Sequence, residues 1–264
     1  MPVKVCIAGV TGWVGRELAT AILADERFEL VGAVSRSMKG KSIREALNLA
    51  SDVLIKGEVA EALADCEVFV DYTSPLAVKK NVKEAMSHLR SVVIGTSGLT
   101  DTDLEEIGIE AEDRKLGVFI AGNFALTAVL LQECARLVAK YVKHYEVIDY
   151  APPSKIDAPS GTARETLRKL REVQQAQVDM PVSSTYGVKE CRGGNVHGAQ
   201  VHSVRLPSFH FGFEVIFGAP HERLILKHEA GSSAAPYVGG TLLAIEKVKT
   251  FKGLRRGLQT VLEI

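Results

Sequence analysis

The chain has 264 residues, 46% of them hydrophobic, which suffices for one large domain or two modest ones with real cores and argues against disorder. Lys plus Arg number 32 and Asp plus Glu number 32, so no basic surplus drives sequence-independent nucleic-acid binding or attraction to an anionic membrane, and any anion site must be local. The start has one basic residue before a short apolar run, and no later run approaches the roughly 20 apolar residues of a membrane span, so a soluble, cytoplasmic protein is expected.

Up to about Asn123, short β-branched runs alternate with amphipathic stretches, the pattern of a Rossmann-like, doubly wound parallel sheet of the α/β class. The predicted strands are Val3–Ala8, Glu29–Val34, Val53–Ile55, Val68–Tyr72, Ser91–Ile94 and Gly117–Ala121. Each ends near Gly, Ser, Thr or Asn, as loops must that admit a ligand beyond the carboxyl ends of parallel strands. After an apolar helix around Ala125–Lys140 come longer strands, Tyr145–Tyr150, Val201–Leu206, Phe213–Phe217 and Arg223–His228, interrupted by a helix over Thr162–Gln175. That texture predicts a mixed or antiparallel sheet in a second, α+β domain. The closing helix Pro236–Val248 is expected to pack back on the first domain. The division is therefore 1–123 plus 236–264 for a dinucleotide-binding domain and 124–235 for a substrate domain.

Gly9-Val-Thr-Gly12-Trp-Val-Gly15 follows the first strand and opens a helix, the context a dinucleotide fingerprint needs. Glycine lets the backbone approach a pyrophosphate, and the helix N-terminus offers unpaired N–H groups. At the end of the second strand, where NAD-preferring enzymes usually carry an acid, stand Ser35-Arg36-Ser37. A guanidinium between two hydroxyls suits a 2′-phosphate, so NADPH is the expected cofactor, with NADH possible. Trp13 lies either against the cofactor or opposing domain, or simply over the start of the first helix.

The densest polar cluster of the second half, Lys155-Ile-Asp157-Ala-Pro159-Ser160-Gly161-Thr162-Ala163, follows a strand and opens a helix. Ser160 and the N–H groups after it can hold an anion, and Lys155 adds a mobile positive charge, so a small anionic substrate is expected there. This run resembles the signature of the bacterial dihydrodipicolinate reductases, also called 4-hydroxy-tetrahydrodipicolinate reductases. The likeness extends through the glycine loop, Asp71-Tyr-Thr-Ser-Pro75, Val93-Ile-Gly95-Thr96-Ser97-Gly98, Asn123-Phe124, and Glu222-Arg223-Leu with His228 before a Ser-Ser pair.

The resemblance implies NAD(P)H-dependent reduction of a cyclic dicarboxylate in the lysine and diaminopimelate pathway, by a homotetramer built through the second domain's sheet. Carried over by position, Gly9, Val10, Thr11, Gly12, Trp13, Val14, Arg36, Gly95, Thr96, Ser97, Ala121, Gly122, Asn123 and Phe124 contact the cofactor. Lys155, Ser160, Gly161 and Thr162 hold the substrate. Three features depart from the family pattern. Its Glu-x-His-His-x-x-Lys segment, whose first histidine is the assigned acid, is here Asp149-Tyr150-Ala151-Pro152-Pro153-Ser154-Lys155; its Gly-Glu-His stretch is Phe211-Gly212-Phe213-Glu214; and the Arg after Ser-Ser is Ala234.

In the reaction so implied, hydride adds to an electron-poor carbon and the product then takes a proton. Lys155 is the expected donor, with Tyr150 or a bound water as alternatives. Asp157 is expected to order its turn, and Arg205 is either a second carboxylate clamp or an ion-pair partner. His197, His202, His210 and His221 read as surface or packing residues. The altered motif leaves open a sister reductase for another cyclic imine or unsaturated acid, or a catalytically silent NADPH-binding protein. A semialdehyde dehydrogenase needs an activated thiolate, and Cys191 has no evident base. The cysteines Cys6, Cys66, Cys134 and Cys191 are far apart and read as reduced thiols, so no metal is expected.

Overall fold

A computed structural model describes residues 1–207 and 210–262, so Glu263 and Ile264, counted above in the first domain, lie outside the described residues. The chain divides into two compact units, residues 1–126 with 233–264, and residues 127–232. Residues 1–126 supply β1 (Val3–Ala8), α1 (Trp13–Ala24), β2 (Phe28–Val34), α2 (Ile43–Leu47), β3 (Ile55–Lys56), β4 (Val68–Asp71), α3 (Val78–Ser87), β5 (Ser91–Ile94), α4 (Asp101–Asp113) and β6 (Gly117–Ile120). The second unit comprises α5 (Leu126–Ala139), β7 (His144–Ala151), α6 (Gly161–Val173), β8 (Gly194–Val196), β9 (Ala199–Arg205), β10 (Phe211–Ala219) and β11 (Glu222–Ala230). The chain then returns to the first unit with α7 (Ala235–Lys247) and β12 (Gly253–Arg256).

In the first unit seven strands run in the order β12-β6-β5-β4-β1-β2-β3, all parallel. Strands covered on both faces carry near-continuous apolar runs, and Val68, Phe69 and Val70 of β4 are fully buried beside Val5, Cys6, Ile7 and Ala8 of β1. At ~1.5–3 kcal/mol for each large apolar side chain taken from water, this core holds the strand ends in place for whatever the loops bind. The strand order reverses between β1 and β4, so a crevice opens beyond their carboxyl ends, where such sheets receive ligands.

Three strands differ from the sequence expectation, one of them β8, where none was expected. The third strand is shorter and later than Val53–Ile55, because half-exposed Leu54 leaves it for an isolated antiparallel bridge to Ser42. β12 was not expected: Gly253-Leu-Arg-Arg256 has one large apolar residue, and it is an edge strand paired only with β6. The closing helix does pack within the first unit, against α1, and Thr241 hydrogen-bonds Tyr72 at 2.6 Å.

The second unit has a five-stranded sheet in the order β11-β10-β7-β9-β8, with β7 and β9 parallel and the other pairs antiparallel. Along β7 burial alternates, so Tyr145, Val147, Asp149 and Ala151 share the covered face while Glu146, Ile148 and Tyr150 lie on the other. Buried Ala163, Leu167 and Leu170 form the inner stripe of α6. Buried Lys169 of that helix donates to Gln132 of α5 at 2.9 Å and pairs with Glu165 at 3.4 Å, which offsets the cost of enclosing its charge.

Candidate cofactor and substrate sites

The first unit's crevice, of about 600 Å³, gathers residues following four strands: Gly9, Thr11 and Gly12 after β1, Ser35–Ser37 after β2, Gly57–Val59 after β3, and Tyr72–Ser74, Leu76 and Ala77 with Lys80 and Asn81 after β4. Gly9 turns the chain with φ +79°, and a Cβ there would lie 2.1 Å from the Tyr72 carbonyl oxygen, so no larger residue fits. Gly12 stands at the N-cap of α1 with no side-chain cap and no acid in the first turn, which leaves the helix's first N–H groups to an anion. Thr11 Oγ1 and Ser35 Oγ are hydrogen-bonded at 2.8 Å, and Ser35 Oγ lies 3.3 Å from Ser37 Oγ. Among the described residues Arg36 makes no ion pair, so its guanidinium remains for a ligand.

Beneath this lip lies a buried carboxylate that the sequence reading quoted only as part of a motif. Asp71 is fully buried, yet its Oδ1 accepts from Thr73 N (3.0 Å), Thr73 Oγ1 (2.8 Å) and Thr96 Oγ1 (2.6 Å), and its Oδ2 from Asn81 Nδ2 (2.8 Å). Those donors offset its desolvation and tie the loops after β4 and β5 together. The signal was present: β4 is otherwise wholly apolar. Gly95 donates to Asp71 O at 3.0 Å, and a Cβ there would meet the Tyr72 ring at 2.1 Å. Burial raises the Tyr72 hydroxyl well above its ordinary pKa, so it stays protonated beside Thr241.

The remaining expected cofactor residues flank the crevice without lining it. Val10, Thr96, Ala121 and Phe124 are buried, so the chain can offer only their backbone or support; Phe124 packs edge-on against Tyr72 (6.0 Å) and Phe119 (5.9 Å). Asn123 Oδ1 accepts from Ala125 N at 2.8 Å, shaping the turn into α5. Val14 lies half-buried on α1, while Ser97 and Gly122 are exposed. Trp13 is half-exposed and meets Tyr237 of α7 edge-on at 5.7 Å within its own unit.

In the second unit the loop from β7 to α6 carries Lys155, Ser160, Gly161 and Thr162. Ser160 caps α6, its Oγ accepting from Ala163 N at 3.2 Å, and its own N–H donates to Asp149 Oδ2 at 2.9 Å. Gly161 faces open space: a Cβ there would meet nothing within 4 Å. Helical geometry gives the N–H groups of this first turn no intrahelical acceptor. Lys155 Nζ lies 2.7 Å from Asp157 Oδ1 and 5.8 Å from the Phe211 ring centroid. That ammonium holds the Asp157 carboxyl below the usual carboxylate range.

Arg205 takes the ion-pair role of the two left open for it. Its Nη2 donates to Asp149 Oδ2 at 2.7 Å and to Asp157 O at 2.8 Å, and Ser203 Oγ donates to the same carboxylate at 3.3 Å. Asp149 and Arg205 therefore pin the cap of α6 to the ends of β7 and β9. Tyr150 has its hydroxyl engaged on the other face of the sheet. Strand alternation sends it to the opposite face from Asp149, where its hydroxyl donates to Glu214 at 3.2 Å and Lys227 lies over its ring.

The histidines weighed in the sequence lie elsewhere: His210 is exposed in the segment before β10. Ala151 is fully buried; His202 is paired with Glu146 at 2.8 Å; His197 and His221 occupy turns with φ 54° and 66°. His228 lies opposite Phe213 on the face of Asp149, hydrogen-bonded to Thr127 at 3.1 Å, and burial lowers its pKa so that it is neutral near pH 7.

A parallel sheet with a glycine turn at its switch point and a phosphate-ready helix end defines the class: this is a nicotinamide-dependent oxidoreductase. Models described as dihydrodipicolinate reductase, N-terminus, and dihydrodipicolinate reductase, C-terminus, match residues 3–124 and 123–262. The chain belongs to the dihydrodipicolinate reductase family. It is 39% identical to a 4-hydroxy-tetrahydrodipicolinate reductase of Desulfitobacterium hafniense, over 99% of each chain. With the enzyme of that name from Listeria innocua the identity is 34%, over 98% of this chain and 100% of the other. Among solved structures, a dipicolinate-bound dihydrodipicolinate reductase from Paenisporosarcina sp. TG-14 superposes with a TM-score of 0.89 at 30% identity, covering 99% of this chain and 100% of that one.

Proposed function

We propose that this chain reduces 4-hydroxy-tetrahydrodipicolinate with NADPH as the preferred donor, a step of lysine and diaminopimelate synthesis. The observation that carries the reading is the β7–α6 loop, where a lysine and a Ser-Gly-Thr helix start offer two separate positions for negative charge. Residues 127–232 would then hold the dicarboxylate and residues 1–126 with 233–264 the cofactor. When bound, the reduced nicotinamide supplies a hydride from its C4.

The chain's own residues do the rest. Ser160 and the N–H groups of Gly161 and Thr162 hold one carboxylate, and Lys155 neutralises the other. Its exchange of Asp157 for substrate is open to it, because the pair is partly exposed and the substrate carboxylate replaces the one given up. Loss of the 4-hydroxyl as water opens the conjugated system that takes the hydride, Lys155 Nζ delivers the proton that completes the reduction, and solvent restores it. In the first unit Gly9, Val10, Thr11, Gly12, Trp13 and Val14 carry the pyrophosphate turn. Arg36, between Ser35 and Ser37, takes the 2′-phosphate, while Gly95, Thr96, Ser97, Ala121, Gly122, Asn123 and Phe124 shape the nicotinamide end.

A homotetramer fits the open face of the second sheet, where Ile148, Ile216 and Ile225 alternate with Glu214 and Lys227. Light scattering of the purified chain checks it: four copies are expected, and a monomer would remove the assembly. Four free cysteines suit a reducing cytoplasm.

The decisive assay mixes the protein with NADPH and freshly generated substrate and follows absorbance near about 340 nm, where the reduced cofactor absorbs. Loss of absorbance is expected. A flat trace with cofactor binding intact would overturn the reading. Ala151, fully buried and without a titratable group, favours one second reading, a sister reductase for another cyclic imine; turnover of such imines in preference to the dipicolinate-pathway substrate would establish it.

A further inference from the structure

The crevice assigned above to the cofactor carries charge of both signs near Arg36. Glu58, just after β3, and Lys80, on the first half of α3, line the same cavity as Ser35, Arg36 and Ser37. Lys80 Nζ stands 3.1 Å from Glu58 Oε2, and both side chains are more than half exposed. An ion pair in that setting is held weakly, so either partner can exchange it for a ligand. Lys39, the neighbouring cation, is not among the residues lining this cavity; its stem lies over Gly57 and its ammonium is 3.6 Å from Glu61.

The chemistry of the three facing groups is divided. Two cations and the Ser35 and Ser37 hydroxyls suit a phosphate dianion, whereas a carboxylate suits a pair of ribose hydroxyls and repels a phosphate. We propose that Glu58 and Lys80 form a specificity switch for the 2′ position of the adenosine ribose: Lys80 leaves Glu58 to join Arg36 on a 2′-phosphate, and Glu58 accepts the ribose hydroxyls when that phosphate is absent. The proposal rests on the cofactor reading above and deepens it. It accounts for one crevice serving both NADPH and NADH, with the paired resting state masking neither.

The test is equilibrium titration of the full chain with NADPH and with NADH, read by nicotinamide fluorescence, for wild type, Lys80→Gln, Lys80→Arg and Glu58→Gln. Both positions are exposed, and circular dichroism checks that each variant is folded. Loss of one exposed charged contact corresponds to about a fivefold change, so Lys80→Gln should raise the NADPH Kd by about that factor and leave NADH within about twofold. Lys80→Arg should restore NADPH affinity. Glu58→Gln should move the ratio the other way, tightening NADPH and weakening NADH. Added salt should weaken NADPH more steeply in wild type than in Lys80→Gln.

If the wild type binds both nucleotides and neither variant moves the ratio of their Kd values, the switch is overturned while the cofactor reading stands. If the wild type binds neither nucleotide, the cofactor reading falls, and the switch with it.

Discussion

The N-termini of α1 and α6 are built in opposite ways. At α1 the cap is Gly12, with no side-chain bond and no nearby acid, so binding rests on bare backbone and the close approach that Gly9 permits. At α6 the cap is Ser160, and the whole turn is fastened by the buried pair of Asp149 and Arg205, with Lys155 waiting on Asp157. A backbone site is indifferent to most side-chain changes around it. A side-chain site can trade one charged group for another while its scaffold persists.

The largest expected effect breaks the scaffold of the second site. Asp149→Ala strands the Arg205 guanidinium in a largely buried place and should cost about 3 kcal/mol in urea unfolding. Asp71→Ala, whose lost partners are neutral donors, should cost less, about 2 kcal/mol. Equal losses would erase the distinction between a side-chain scaffold and a hydroxyl-and-amide one. Next, Lys155→Ala should lower kcat/KM by about 100-fold, the scale of a lost general acid, with NADPH affinity unchanged in titration. Near-normal turnover would show that the proton comes from elsewhere.

Smaller again, Arg36→Asp should shift the ratio of NADPH to NADH efficiency by about tenfold toward NADH, as a carboxylate repels the 2′-phosphate. An unmoved ratio would take Arg36 out of the phosphate site. The smallest effect is in acid. The Asp157 pKa is lowered by Lys155, so the pair's contribution is complete above the range where an unfolded carboxylate titrates and is lost as pH falls through the lower folded value. Because the pair is partly open to solvent, the slope should be slight and absent in Asp157→Asn; a carboxyl resonance titrating at its ordinary pH would contradict the contact.

Much of the first unit was legible because its strands are buried on both faces. Val3–Ala8 reads as a strand from its apolar run, and the glycine turn after it can be placed by covalent adjacency alone. What escaped was decided by distant partners. Gly253–Arg256 becomes a strand only because β6 offers it an edge. Asp71 acquires its role through Thr96 and Asn81, 25 and 10 residues away. Glu58 and Lys80 are ordinary solvated residues until α3 brings them beside Arg36. In the second unit the Lys155–Thr162 cluster stood out by density of polar groups. The choice between clamp and ion pair at Arg205 needed the fold, since Asp149 lies 56 residues back.

Calorimetric titration of the NADPH-bound chain with pyridine-2,6-dicarboxylate bears most directly on the second site. The account predicts saturable binding of one dicarboxylate per chain, weakened strongly by Lys155→Ala. No heat from the wild type, or affinity that survives the loss of the lysine, would contradict it.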